Sequence, residues 1–304
     1  AKRGRVLEEL GRKREALDAY VRALGVRRRA WRMEAAAAAS RRSGSATLAT
    51  YPATAPIQTK HLEVASSLID VASILQELRR LPEALHACHE ALRIRQAAYP
   101  QPHSDVAHAL VWVASLEREA GHASAAVAAY DEAADVYRRV LDATPLAGKL
   151  GVATNLAKTL ASLARVLDEM PGRKLDVVRA YADVVSVRRS DPLAETDAGA
   201  LAAALIDWAS ALSDVGMFKQ ALAACEEALC VRRAIHGAKP HRDVAHALVW
   251  VASVLRDVSV GAGASASDTT TTAHARENLE RAVELHDEAL RMREELFGPR
   301  STEV

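Results

Sequence analysis

HSDVAHALVWVAS, residues 103–115, returns as HRDVAHALVWVAS at residues 241–253, with twelve of thirteen positions unchanged and an offset of 138. Such agreement marks an internal repeat, and a repeat decides the architecture before any single motif does. Outward from it, SLIDVASILQELRRLPEALHACHEALRIRQ (67–96) lies beneath ALIDWASALSDVGMFKQALAACEEALCVRR (204–233) at an offset of 137. Inside that long period sits a shorter one. Val71-Ala72-Ser73 recurs as Val113-Ala114-Ser115, and Glu90-Ala91 as Glu132-Ala133, each 42 positions on. The unit is about 42–48 residues and the long offset is three units, as duplication of a three-unit block would leave it.

Each unit reads as two helices. Apolar residues recur at helical spacing, Gly or Pro punctuates the turns, and Pro82 stands where a helix start tolerates it. Expected pairs are 62–79 with 82–98, 104–120 with 123–142, 149–168 with 174–189, 197–214 with 218–236, and 242–258 with 273–297. These give an array over 61–300 in units 61–100, 103–143, 148–190, 194–240 and 241–298. Residues 1–32 hold a partial pair with its stripe at Ala16, Leu17, Tyr20, Ala23, Leu24 and Val26. The Ala/Ser/Thr/Pro-rich stretch 33–60 is expected to be a long loop or linker with helix at its start, and 259–272 a low-complexity insertion at an inter-helix turn. Both chain ends look like cuts through a longer protein.

Composition fits closely packed helices. Half of the 304 residues are hydrophobic, yet only 4% are aromatic, and Ala is abundant. Small residues at Ala72, Ala114, Ala161, Ala209 and Ala252 would let the two helices of a unit touch. Cys88 and Cys225 fall at equivalent repeat positions, as buried core residues in a reducing, intracellular setting would, with the cytoplasm as default. No run of 18 apolar residues predicts a membrane span. C-x-x-C, H-E-x-x-H and G-x-x-x-x-G-K-[ST] are all absent, so the reading is non-catalytic, with no metal and no cofactor.

Net charge is +1, but residues 1–50 carry +8 and the remainder −7. Arg27, Arg28, Arg29, Arg32, Arg41 and Arg42 form a basic opening that could meet an anionic partner, RNA or an acidic protein tail. Asp70 and Asp207, equivalent carboxylates one turn before Ser73 and Ser210, read as capping or inter-repeat contacts. Trp112 and Trp250 read as packing residues, with groove contact as the alternative.

The turn region of these units resembles that of tetratricopeptide repeats, and more narrowly the 42-residue variety of kinesin light chains. The resemblance is carried by Trp208, Ala209, Leu212, Gly216, Phe218, Ala221, Cys225 and Ala228. A second set is Val113, Ala114, Gly121, Ala126, Tyr130 and Ala133; a third is Val71, Ala72, Leu75, Ala84, Cys88 and Ala91. The longer connection appears as Val231-Arg232, Gly237, then His241-Arg242-Asp243-Val244-Ala245, and again as Met292-Arg293 before Phe297-Gly298-Pro299. Val111-Trp112 and Val249-Trp250 stand where kinesin light chains usually carry an Asn pair.

That resemblance implies an all-α superhelix, a solenoid of antiparallel pairs, with a concave groove lined by the first helix of each pair. Groove positions would then be Ser73, Ser115, Ser162, Ser210 and Ser253, flanked by His108, His246, Arg118, Arg165 and Arg256. The implied function is a scaffold or adaptor, one subunit of a larger complex, whose groove takes a peptide segment or helix of another protein. The alternatives are a ribonucleoprotein subunit anchored by the basic opening, or the sensor half of a larger signalling ATPase.

Overall fold

The computed structural model describes residues 2–43, 55–99, 101–190, 198–237, 239–263 and 269–298. Among them are twelve helices and no strand: α1 (Lys2–Glu9), α2 (Lys13–Ser43), α3 (Ala55–Glu77), α4 (Leu81–Ala98), α5 (Ser104–Glu119) and α6 (Ala123–Ala143), then α7 (Leu146–Asp168), α8 (Lys174–Arg189), α9 (Ala198–Asp214), α10 (Phe218–His236), α11 (Arg242–Gly263) and α12 (Thr269–Phe297). The expected all-α fold of antiparallel helix pairs is what the chain adopts. Two compact bodies divide it, residues Ala1–Thr144 with α1–α6 and residues Pro145–Val304 with α7–α12. In each, every helix packs on its neighbour in sequence. The first helices of successive pairs also meet, α3 with α5 and α9 with α11.

The small-residue positions explain the close packing. Ala72, Ala114, Ala209 and Ala252 are fully buried, as are Ala84, Ala91, Ala126, Ala133, Ala221 and Ala228 on the facing helices. A methyl side chain lets two backbones approach, and Ile74, Leu116, Leu212 and Leu255 fill the remaining space. The turn that follows needs a left-handed residue, supplied by Gly121 (φ 83°) and Gly216 (φ 78°). At the equivalent place in the earlier unit Arg79 takes φ 60° and bears the strain.

Unit 148–190 departs from the expected register. Ala161 is only partly buried, whereas Ala164 is fully buried. The buried pairs Leu156-Ala157, Thr159-Leu160 and Leu163-Ala164 match Val106-Ala107, Ala109-Leu110 and Val113-Ala114 at an offset of 50. Arg165, not Ser162, is therefore the counterpart of Ser115, and Ser162 falls on the Trp112 position.

The linker 33–60 opens as helix, and the helices reach further into the expected insertion 259–272 than its composition implied. α2 runs on from Met33 to Ser43, because EAAAAASRR is built of strong helix formers. α3 starts at Ala55; residues 44–54 of the expected linker lie outside the described residues. At the expected insertion, α11 continues to Gly263 and α12 begins at Thr269, leaving 264–268 outside the description. Buried Ser259 keeps its hydroxyl satisfied by donating to the Leu255 carbonyl at 2.8 Å.

Candidate functional site

The duplicated stretch builds a joint between one pair and the next. His103 is the N-cap of α5, and its Nδ1 accepts from the Asp105 backbone N–H at 3.1 Å. His241 does the same for Asp243 at 3.1 Å. A ring from the end of the preceding helix lies flat on each of these caps, Tyr99 on His103 at 3.6 Å and His236 on His241 at 3.4 Å, and Trp31 stacks in the same way on His61, inside α3, at 4.5 Å. Four residues before that ring stands an arginine that crosses to the main-chain carbonyl two residues after the stacked histidine. Arg95 donates to Asp105 O at 2.8 Å, Arg232 to Asp243 O at 2.6 Å, and Arg27 to Glu63 O at 3.5 Å. Arg95 and Arg232 are buried, and burial pushes the Arg232 guanidinium down. Three joints thus share the ring and arginine contacts, two in the first body and one in the second, and the α4–α5 and α10–α11 joints add the histidine cap.

This explains where part of the basic opening goes. Arg27 is spent on the α2–α3 joint, where it also donates to the Ser67 hydroxyl. Arg28 pairs with Glu90 on α4, its Nη2 2.6 Å from Oε1. Neither is a loose charge awaiting RNA or an acidic tail. Arg29 and Arg32 are exposed; the side chains of Arg41 and Arg42 lie outside the description.

The expected groove residues sit on α3, α5, α7, α9 and α11, the first helices of their pairs. Ser73, Ser115, Ser162, Ser210 and Ser253 are all half-buried. Ser73 and Ser115 belong to the first body and the other three to the second. Arg165 donates to Ser162 Oγ at 3.1 Å, and Arg256 pairs with its neighbour Asp257 at 3.1 Å. Arg118 is exposed and engaged with other groups of the protein.

On the second body Asp207 and His246 both feel the charge of Arg232. Asp207 and His246 are exposed, yet both have lost enough water to change their chemistry. Crowding pushes the Asp207 carboxyl up, against the pull of Arg165 and Arg232. It pushes His246 down, with Arg232 and Arg293 adding to the effect. Trp250 lies edge-on to His246 with centroids 6.4 Å apart, and donates from Nε1 to Nε2 at 3.2 Å. In the first body His108 and Trp112 repeat the edge contact at 6.5 Å, and burial lowers His108 likewise. Sequence reading placed His246 in the groove, took Trp250 as packing with groove contact as the alternative, and met Arg232 only as part of the connecting motif; the signal for its role was its recurrence as Arg27 and Arg95.

Ligand-capable atoms of His236, His241 and Asp243 lie within 4.8 Å of one another. Their geometry serves the cap instead. The two rings are stacked 10° from parallel, and an ion must lie in the plane of each imidazole it binds. His241 Nδ1 is already taken by the Asp243 N–H. Tyr99, which replaces His236 in the other copy, holds the same arrangement. Cys88 and Cys225 are buried, with thiols pushed up to about 12, outside the range of a reactive thiolate.

The tetratricopeptide-repeat family model matches residues 64–105, 201–243 and 270–303, covering both copies of the joint. Those three stretches are tetratricopeptide repeats. A second model, anaphase-promoting complex subunit 5, matches residues 101–160. The fold is similar to BtubC (BKLC) from P. vanneervenii, at 16% identity and a TM-score of 0.54, covering 93% of this chain and 94% of that one. It is also similar to a putative kinesin light chain of Podosopora anserina with nearly identical TPR-like repeats, at 14% identity and a TM-score of 0.54, covering 78% of this chain and 97% of that one. Among curated proteins no sequence matches the repeat chain significantly. No helix among its described residues is long and apolar enough to cross a membrane.

Proposed function

We propose that this tetratricopeptide-repeat chain is a non-catalytic scaffold, a subunit of a larger assembly, that docks a segment of another protein against the first helices of its pairs. The observation that carries this is the group of side chains on the second body in which Arg232 and Trp250 reach the two nitrogens of His246, and Arg165 and Arg232 act on Asp207. Their mixture of charge, hydrogen-bonding capacity and one aromatic face suits a polar peptide with an apolar side chain. Half-buried Ser210 and Ser253 add hydroxyls that can pair with an extended main chain. Tetratricopeptide-repeat proteins bind peptides or proteins, which agrees with this use of the surface.

Selection of displayed peptides on the intact chain tests the reading. Enriched sequences are expected to lose binding about tenfold or more on Arg165→Ala or Trp250→Ala, the loss typical of an interface anchor. Changes to exposed residues of the second helices, such as Lys219→Ala, should leave binding alone. Peptides that ignore the Arg165 and Trp250 substitutions would overturn the proposal.

A further inference from the structure

His108, Trp112 and Ser115 lie along one face of α5, and His246, Trp250 and Ser253 repeat them on α11. In both copies the histidine is exposed, with the indole and the hydroxyl half-buried. The rings meet alike too, edge-on at 6.5 Å and 84° on α5 and at 6.4 Å and 80° on α11. What differs is the engagement of their polar atoms. On α11 the indole N–H is spent on His246 Nε2, and Nδ1 of that ring faces the Arg232 guanidinium. On α5 neither the Trp112 N–H nor a His108 nitrogen has a hydrogen-bond partner among the described residues, and the N–H is open to solvent. The array does not close this face itself. Val106, Leu110 and Val113 form the buried side of α5, which packs on α3, α4 and α6. Repeats stack end to end, so further pairs would lengthen the array without covering His108 or Trp112.

We propose that α5 carries a second docking site, for an extended segment of another protein whose main-chain carbonyl accepts the Trp112 N–H and whose N–H donates to His108. This second site rests on the reading of α11 as a docking surface and gives the chain two occupants. An extended main chain offers a carbonyl and an N–H at every residue, which suits a donor and an acceptor one helical turn apart. Ser115, a turn further along, supplies a hydroxyl that can give or accept. The α5 site is the weaker of the two. On α12 Arg293 adds its charge beside His246, whereas α6 carries the buried, uncharged Tyr137 at the place 42 residues after Arg95. Selection on the parent chain is therefore dominated by α11.

The probe is a displayed-peptide library selected on the intact Trp250→Ala chain, from which the α11 site has been removed. Peptides should still be enriched, and they should bind about tenfold or more weakly once Trp112→Ala is added. Because Trp112→Ala can loosen the first body, Trp112→Phe is compared with it. There the ring stays and the N–H goes, and affinity should fall about threefold or more, the loss of one hydrogen bond. The same peptides should bind the parent chain while a peptide selected on the parent saturates α11. Competition between the two peptides places them in one site and overturns the proposal. Enriched peptides indifferent to both Trp112 substitutions overturn it as well. Self-association of the chain that Trp112→Ala abolishes does so too, by making a second copy the occupant. Enrichment on the parent but not on the Trp250→Ala chain refutes the α5 site alone and leaves the α11 reading intact. Enrichment on neither removes both.

Discussion

Arg232 holds its guanidinium 3.1 Å from Nδ1 of His246 while also donating to the Asp243 carbonyl. Trp250 approaches the other nitrogen of the same ring as a donor. A neutral imidazole can accept at one nitrogen only, and an imidazolium at neither, so the site requires the uncharged ring. Protonation of His246 should therefore occur below the ordinary histidine value of 6.5, with desolvation as the leading cause and Arg232 next. Between the lowered folded value and the ordinary unfolded one, the unfolded chain binds more protons. Stability contributed by this ring is thus complete above pH 6.5 and declines as the pH falls toward the folded value. NMR titration of His246 should show the depression, and Arg232→Met should relieve part of it.

The buried arginines hold the joints through main-chain acceptors, so their loss should register as stability. Arg95→Ala and Arg232→Ala each strand a half-buried carbonyl and are expected to cost about 1–3 kcal/mol. Hydrogen exchange should open α5 in the first case and α11 in the second. Uniform destabilisation of distant helices would contradict a local joint.

Unit 148–190 offers a direct test of register. Ala164→Leu must push two packed backbones apart and should cost at least about 1–3 kcal/mol. Ala161→Leu, at a partly buried position, should fall within about 0.5 kcal/mol of the parent. Chemical denaturation of the two variants side by side decides between the registers.

Arg79 adopts the left-handed conformation that Gly121 and Gly216 supply elsewhere. Replacing it by Gly removes the side-chain clash and should raise stability by up to about 1 kcal/mol. The Glu119 pairing lost with it is largely exposed and contributes little. A drop in midpoint on Arg79→Gly would count against this account.

The helix pairs were legible because apolar and small residues repeat with a helical period and the turns carry Gly. Ala72, Ala114, Ala209 and Ala252 occupy like surroundings for that reason. Unit 148–190 misled because Ala161 and Ala164 both precede similar Leu/Ala runs, and only burial separates them. How far α2 reaches past Met33 was obscured by serine and by the proline-rich stretch that follows. Arg27 looked like a free charge because its partner is a main-chain carbonyl 36 residues away, and carbonyls leave no mark in a sequence. His103 and His241 were visible as motif letters, but their capping role depends on where the helix begins.

Glu63, Asp105 and Asp243 receive the arginine through a group that every amino acid carries. Such a latch is indifferent to the identity of the residue it grips. Mutational drift in the receiving turn leaves it working, and a module duplicated elsewhere in the gene arrives with its fastening already compatible. Growth of the array by copying whole blocks then needs no co-ordinated second change.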